Sequence, residues 1–209
     1  MFTVEGIIGA GKSTLIDTLR GAGYVVASEP VNQWTIGSIN LLERFYANPE
    51  RYAYLFQIHV LETLVQQTRQ VQPPPGFHSF QERSLASNAL FAKLQHEIGY
   101  LDDVEHAAYQ QRYEAAVAQP DMRVRGRIFL NMDVNTAMER VRIRNRAGER
   151  VTATYQKKLF DAHEDWKQRE RSIGRPILEI DASQVDVRGP EVVQLVRDFI
   201  ARQPPGPCP

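Results

Sequence analysis

Apolar positions along the chain switch between two spacings in a regular order. Short runs dense in apolar and β-branched residues occur at Phe2-Thr3-Val4, Tyr24 to Ser28, Phe77 to Gln81, Arg127 to Met132 and Pro176 to Ile180. Such runs read as strands. Between them apolar residues recur every three or four positions, which predicts helices. These cover Thr14 to Leu19, Arg51 to Val71, Leu85 to Glu97, Asp102 to Ala118, Thr152 to about Arg171, and Pro190 to about Arg202. Another runs through Ala137, Met138 and Val141, capped by Asp133 or Asn135. Pro49 and Pro190 suit first helical turns, where a missing N–H costs nothing. Strands alternating with helices predict an α/β fold with a parallel sheet and crossover helices. Sites in such folds lie at the carboxyl ends of the strands.

Two helices carry expectations of their own. In the 51–71 helix, Tyr52, Phe56, His59 and Thr63 share a stripe with Gln57 beside it, which reads mainly as core packing. The 102–118 helix is polar and reads as a surface or lid-side insertion with a solvated charged face. His163 and Trp166 are placed on the surface of the 152–171 helix. Pro73-Pro74-Pro75-Gly76 breaks the chain as a loop, because strand–helix alternation resumes at once.

After the first strand stands Gly6-Ile7-Ile8-Gly9-Ala10-Gly11-Lys12-Ser13-Thr14. Glycine, four free positions, then Gly-Lys-Ser between a strand and a helix is a phosphate-cradling loop. Its glycines let backbone N–H groups converge on an anion, Lys12 adds a positive charge, and the Ser13 hydroxyl is placed to ligate Mg²⁺. The following helix aims its positive dipole end at the same phosphates. Nucleoside-triphosphate binding follows, and the acceptor stays open.

Other strand ends add chemistry. Glu29-Pro30 closes the second strand, where the carboxylate is a general base or a solvated loop acid. Glu82-Arg83-Ser84 closes the third: Glu82 is placed to hold Mg²⁺, and Arg83 a phosphate or the base, unless the two form a local ion pair. Arg140, Arg142, Arg144 and Arg146 precede Gly148-Glu149-Arg150. Such a run is a solvated face or, beside a triphosphate, a lid that spreads charge and excludes water.

Bulk properties remove alternatives. At 209 residues the chain suits one domain, residues 1–203, with a disordered Pro-rich tail over 204–209. Lysines plus arginines number 25 and acids 25, so no overall field recruits nucleic acid or an anionic membrane. The single cysteine, Cys208, allows no internal disulfide, which suits a reducing compartment. No leader and no membrane-spanning run is expected, so the sequence reading is a cytoplasmic enzyme.

Taken in order, these signals resemble the deoxyribonucleoside kinases of the deoxycytidine, deoxyguanosine and non-herpes thymidine kinase type. The resemblance covers most of residues 2–182. It rests on the glycine loop, Glu29-Pro30-Val31-x-x-Trp34, Tyr46-x-x-Pro49-Glu50-Arg51-Tyr52, Phe56-Gln57 and Glu82-Arg83-Ser84. The arginine-rich lid with Glu149, then Tyr155, Leu159 and His163-Glu164-x-Trp166, completes it. The resemblance implies a five-stranded parallel sheet wrapped in helices, usually a homodimer joined through helices. It implies transfer of the ATP γ-phosphate to a deoxynucleoside 5′-hydroxyl, with Mg²⁺. Glu29 then takes the hydroxyl proton, Arg83 steadies substrate and phosphate, and Glu82 places the metal. Arg140, Arg144 and Arg146 match lid arginines, Tyr46 and Glu149 the pair on the 3′-hydroxyl, Gln57 the reader of the base edge, and Trp34 and Phe56 pocket walls.

The sequence departs from the family in three places. Leu64 and Asn88 stand where deoxycytidine- and purine-type members carry an arginine–aspartate pair. An uncharged, roomier pocket of this kind is similar to the thymidine-accepting members, so pyrimidines are expected, with thymidine favoured. Phe91 falls one residue before the family's base-stacking phenylalanine, with Ala92 at the matching place. The segment from lid to Tyr155 is one residue short. The competing readings are a purine-preferring kinase, a thymidylate kinase and a non-catalytic relative; the last is opposed by the presence of Lys12, Ser13 and Glu29.

Overall fold

A computed structural model describes residues 1–71, 73 and 76–203. Pro74 and Pro75 of the expected loop, and the 204–209 tail, lie outside the described residues. Five strands, β1 (Phe2–Glu5), β2 (Val25–Ala27), β5 (Ser79–Glu82), β6 (Gly126–Asn131) and β7 (Ile177–Asp181), form one sheet in the order β2-β5-β1-β6-β7. Every neighbouring pair is parallel. All five carboxyl ends therefore meet along one edge, which brings together residues far apart in sequence.

The helices are α1 (Lys12–Gly21), α2 (Leu41–Ala47), α3 (Pro49–Gln70), α4 (Leu85–Glu97), α5 (Asp103–Val117), α6 (Val134–Arg144), α7 (Ala153–Ser172) and α8 (Pro190–Ala201). The starts of α2 to α7 are set by side chains that accept a free N–H of the first turn. Asn48 caps α3 with Pro49 behind it, Ser84 caps α4, and Asp102 forms a capping box with Glu105 on α5. Of the two candidates for α6, the structure selects Asp133, which accepts from the Thr136 N–H at 2.9 Å. Two short strands went unpredicted: β3 (Thr35–Ile36) and β4 (Ile39–Asn40) form an antiparallel hairpin. Two residues per strand is too short for alternation to show in sequence.

Two apolar clusters hold the molecule. One surrounds the sheet and includes Phe2, Val4, Leu15, Phe80 and Ile128. The other lies among α2, α3 and α5 and includes Trp34, Phe45, Phe56, Leu64 and Tyr109. Three expectations are corrected here. α5 is no lid-side insertion: it packs on α3 and α4 and buries Tyr109 and Ala116. His163 and Trp166 are buried, not on the surface of α7. The edge strand β2 is shorter than expected: the Tyr24 N–H is taken by the Leu19 carbonyl at 3.1 Å, and pairing with β5 covers only Val25 to Ala27. Behind the sheet, the Arg127 guanidinium bonds Glu5 at 3.2 Å and Glu170 at 3.1 Å and lies 4.7 Å from the Trp166 ring. That buried cation is the partner that lets two acids sit inside. Among the described residues, no helix is long and apolar enough to cross a membrane.

Candidate active site

A cavity of about 570 Å³ opens at the carboxyl edge of the sheet and is lined by members of both clusters. Its floor is the loop between β1 and α1. Gly9 has φ +86°, and a Cβ there would sit 2.3 Å from the Ala137 carbonyl oxygen. Gly11 is left-handed and starts α1 without a side-chain cap, which leaves the helix's first N–H groups facing the cavity. Lys12 is buried, and its Nζ donates to the Ile7 carbonyl at 2.9 Å. Burial, and after it the nearby Arg83, brings its pKa down to about 7.

Two neighbouring strand ends supply the next layer. Ser13 donates to Glu82 Oε1 at 2.8 Å, and Glu82 Oε2 accepts from the Glu29 backbone N–H at 3.2 Å. Burial raises the Glu82 pKa, and the Glu29 charge beside it adds to the effect. A carboxylate so placed, with a serine hydroxyl at hand, fits a hard cation that favours oxygen ligands. Arg83 Nε pairs with Glu29 Oε1 at 2.8 Å. Arg83 has φ 61°, unusual for a residue with a Cβ. It is held there by its N–H to the Val4 carbonyl at 3.0 Å, by Nη1 to Ser87 at 3.2 Å, and by the Phe91 ring 4.7 Å away. The strained backbone aims the guanidinium into the cavity.

The far half of the cavity is built from side chains on helices. Trp34 donates to Thr63 at 3.2 Å and meets Phe56 edge-on, and Phe45 stacks on Phe56. Leu64, Gln57 and Asn88 complete that wall. Asn88 Nδ2 donates to Gln57 Oε1 at 2.5 Å, and the Tyr109 hydroxyl donates to Asn88 Oδ1 at 2.6 Å. Phe91, one residue off the family position, reaches the cavity, whereas Ala92 is buried in the second cluster. Burial pushes the Tyr46 hydroxyl well above its ordinary pKa, so it stays a proton donor.

Arg140, Arg144 and Arg146 all line the cavity. Arg144 bonds Glu149 at 2.6 Å and Arg146 reaches the same carboxylate at 3.8 Å. Arg140 donates to the Ala10 and Ala182 carbonyls at 3.5 and 3.4 Å. Arg142 is turned outward onto Glu139. Gly148 packs against α2, where a Cβ would lie 2.7 Å from that of Glu43.

Every residue named from the sequence as a site candidate on the loop, the strand ends and the lid is near this cavity, and most line it directly. Sequence reasoning gave no role to Tyr155, which it named only as part of the resemblance, and missed Gln95 and the segment from Ala182 to Arg188. Tyr155 is pushed up to about 12 by burial, with Gln95 donating to its hydroxyl at 3.4 Å. The 182–188 segment follows the carboxyl end of β7, so the rule that sites collect there carried the signal. His163 is buried behind Arg83; its Nδ1 meets the Leu159 carbonyl at 2.8 Å, and burial followed by the Arg83 charge takes its pKa down to about 3.

A family model described as deoxynucleoside kinase matches residues 2–201. The chain is 34% identical over 207 residues to a fowlpox virus protein named probable deoxycytidine kinase FPV151, covering 95% of this chain and 87% of that one. It is 30% identical over 212 residues to the thymidine kinase of Ictalurid herpesvirus 1, covering 98% and 87%. Among solved structures, the deoxyadenosine kinase of M. mycoides with bound products superposes with a TM-score of 0.76 at 21% identity, covering 96% of this chain and 97% of that one. The relatives' names span different bases.

Proposed function

The chain belongs to the deoxynucleoside kinase family, and from that premise we propose that it transfers the γ-phosphate of ATP to the 5′-hydroxyl of a pyrimidine deoxynucleoside. That it is a deoxynucleoside kinase is shown by the family match; donor, base and residue roles are our reading. The observation that carries it is the Glu29–Arg83 pair, 2.8 Å apart, between the phosphate loop and the Gln57 wall in one cavity.

Glu29 takes the 5′-hydroxyl proton on Oε2, since Oε1 is engaged by Arg83. Arg83 and Lys12 neutralise charge that grows on the phosphoryl oxygens, and Arg140, Arg144 and Arg146 close over them. Gly6, Gly9, Ala10, Gly11 and Thr14 hold the triphosphate with their N–H groups. Ser13 and Glu82 are the residues that would hold Mg²⁺, which when bound supplies charge neutralisation and orients the phosphates. Tyr46 and Glu149 bind the sugar's 3′-hydroxyl, Trp34 and Phe56 wall the base, and Gln57 reads its edge. An uncharged wall at Leu64 and Asn88 admits pyrimidines, thymidine included. A homodimer joined through helices and action in the cytoplasm are carried over from the family resemblance.

The test is ADP release from Mg-ATP with each of the four deoxynucleosides and with dTMP. Turnover on deoxycytidine and thymidine and none on dTMP is expected. Purine-only turnover removes the pocket argument, and turnover on dTMP alone moves the chain to monophosphate phosphorylation.

A further inference from the structure

Gln57 presents an amide, and an amide reads a base edge in one of two ways: oxygen inward and nitrogen outward, or the reverse. What stands behind it decides which. Asn88 donates to Gln57 Oε1 and accepts from Tyr109. Asn88 and Gln57 are 3% and 2% exposed and Tyr109 is 1% exposed, so the chain of bonds runs from the cavity wall into the core. We propose that Tyr109, through Asn88, fixes the orientation of Gln57 and thereby makes the pocket favour bases with an inward amino group over those with an inward carbonyl. The inference rests on the proposed function, which places the base against Gln57.

The phenol is the anchor. Burial keeps it protonated, far above its usual pKa. Among the described residues its one hydrogen-bond partner is Asn88 Oδ1. Turning Gln57 round would force Asn88 to turn as well, or leave two N–H groups facing each other. A turned Asn88 would point its own N–H at Tyr109, and the phenol proton would then be buried with no acceptor. Leaving a buried donor unpaired disfavours that state by about tenfold or more. Gln57 Oε1 is therefore held on the inner side, towards Asn88, with Nε2 outward.

A pyrimidine joined to its sugar at N1 carries its 4-substituent opposite the sugar, at the inner end. Cytosine has an amino donor there and an acceptor at N3, which match Oε1 and Nε2. Thymine has a carbonyl there and an N–H at N3, which oppose both atoms. Thymidine is admitted only with the relay reversed. The ranking places deoxycytidine above thymidine, the opposite of the order that an uncharged wall alone suggests. Tyr109 touches no substrate and acts as a positioning residue.

The experiment compares kcat/KM for deoxycytidine and thymidine, with Mg-ATP, in the wild type, Tyr109→Phe and Asn88→Asp. Wild type should favour deoxycytidine by about tenfold. Tyr109→Phe removes the proton that needed an acceptor, so the ratio should fall about tenfold towards one, while the KM for ATP stays put. Asn88→Asp offers only acceptors: Tyr109 donates to one oxygen, Gln57 Nε2 to the other, and the ratio should invert towards thymidine. A packing role alone would lower both substrates together and leave the ratio unmoved. Melting curves show whether each variant folds; should Tyr109→Phe fail, Asn88→Asp decides. Ratios within twofold of wild type in the folded variants, or a wild type that favours thymidine, overturn the relay while leaving the kinase reading intact. A wild type inactive on every deoxynucleoside overturns the proposed function, and the relay with it.

Discussion

The two halves of the cavity are made of different material. The phosphate half is mostly backbone: a loop whose shape is enforced by glycines, one of them with a carbonyl oxygen 2.3 Å from where its Cβ would be. The base half is side chains from α2, α3 and α4, backed by α5. Backbone geometry of the first kind is dictated by a few adjacent residues and serves any nucleoside triphosphate. Side-chain geometry of the second kind is assembled from distant residues and can be retuned one position at a time. The names of the relatives share the kinase reaction and differ in the base.

The largest effect should come at the seam. Glu29→Gln keeps the size and the contact with Arg83 but removes the proton acceptor. It should lower kcat about a thousandfold with a small change in nucleoside KM, and a loss of tenfold or less in steady-state assays would remove Glu29 from that role. In the phosphate half, Gly9→Ala must push a methyl against the Ala137 carbonyl at 2.3 Å and hold φ +86°. It should cost about 2–4 kcal/mol by thermal or urea melting and abolish ATP binding. Gly23→Ala shares the positive φ, at +89°, but has no atom within 4 Å. It should cost only about 1 kcal/mol; equal losses in the two variants would mean that crowding is not what makes Gly9 special. In the base half, Leu64→Ala widens a space that already exists, so a loss near the low end of the Leu→Ala range, about 2 kcal/mol, is expected. ATP affinity should not change; a shared loss of ATP binding would show the halves to be coupled.

The subtlest effect concerns protons. With Lys12 at about 7 in the free protein and 10.5 in the unfolded chain, the unfolded state holds more protons between those values. This group therefore makes stability rise with pH across that window. Binding a triphosphate restores the charge, so calorimetry at pH 8 in two buffers of different ionisation enthalpy should detect proton uptake. Affinity should weaken from pH 7 to 9 as that uptake becomes harder. Identical heats in both buffers, once ligand ionisation is subtracted, would place Lys12 among ordinary charged lysines.

How much was legible follows the same division. Gly6 to Thr14, Glu29 and Glu82-Arg83 were readable because local spacing and strand ends carry their meaning. The cavity position of Phe91 was not, since a one-residue offset is absorbed by the turn of α4. Nor was Tyr109, which lies on a helix that looks polar in sequence and makes its decisive contact with Asn88, 21 positions away. The burial of His163 and Trp166 was missed because α7 shows charges on most of its turns, several of which are paired inward or along the helix. Tertiary partners, rather than periodicity, hide such residues.

Glu29 sits just beyond the weakest strand of the sheet, three residues with a single neighbour. Yet the end of β5 and the residue after it grip Glu29, through Glu82 on its amide and Arg83 on its carboxylate. Edge strands breathe, and their amides trade hydrogen for deuterium early. The Glu29 amide should instead lag behind those of Val25 and Val26, an island of slow exchange in a fast border. The Glu29 carboxylate would then keep time with the centre of the sheet, and fraying of the edge would pass it by.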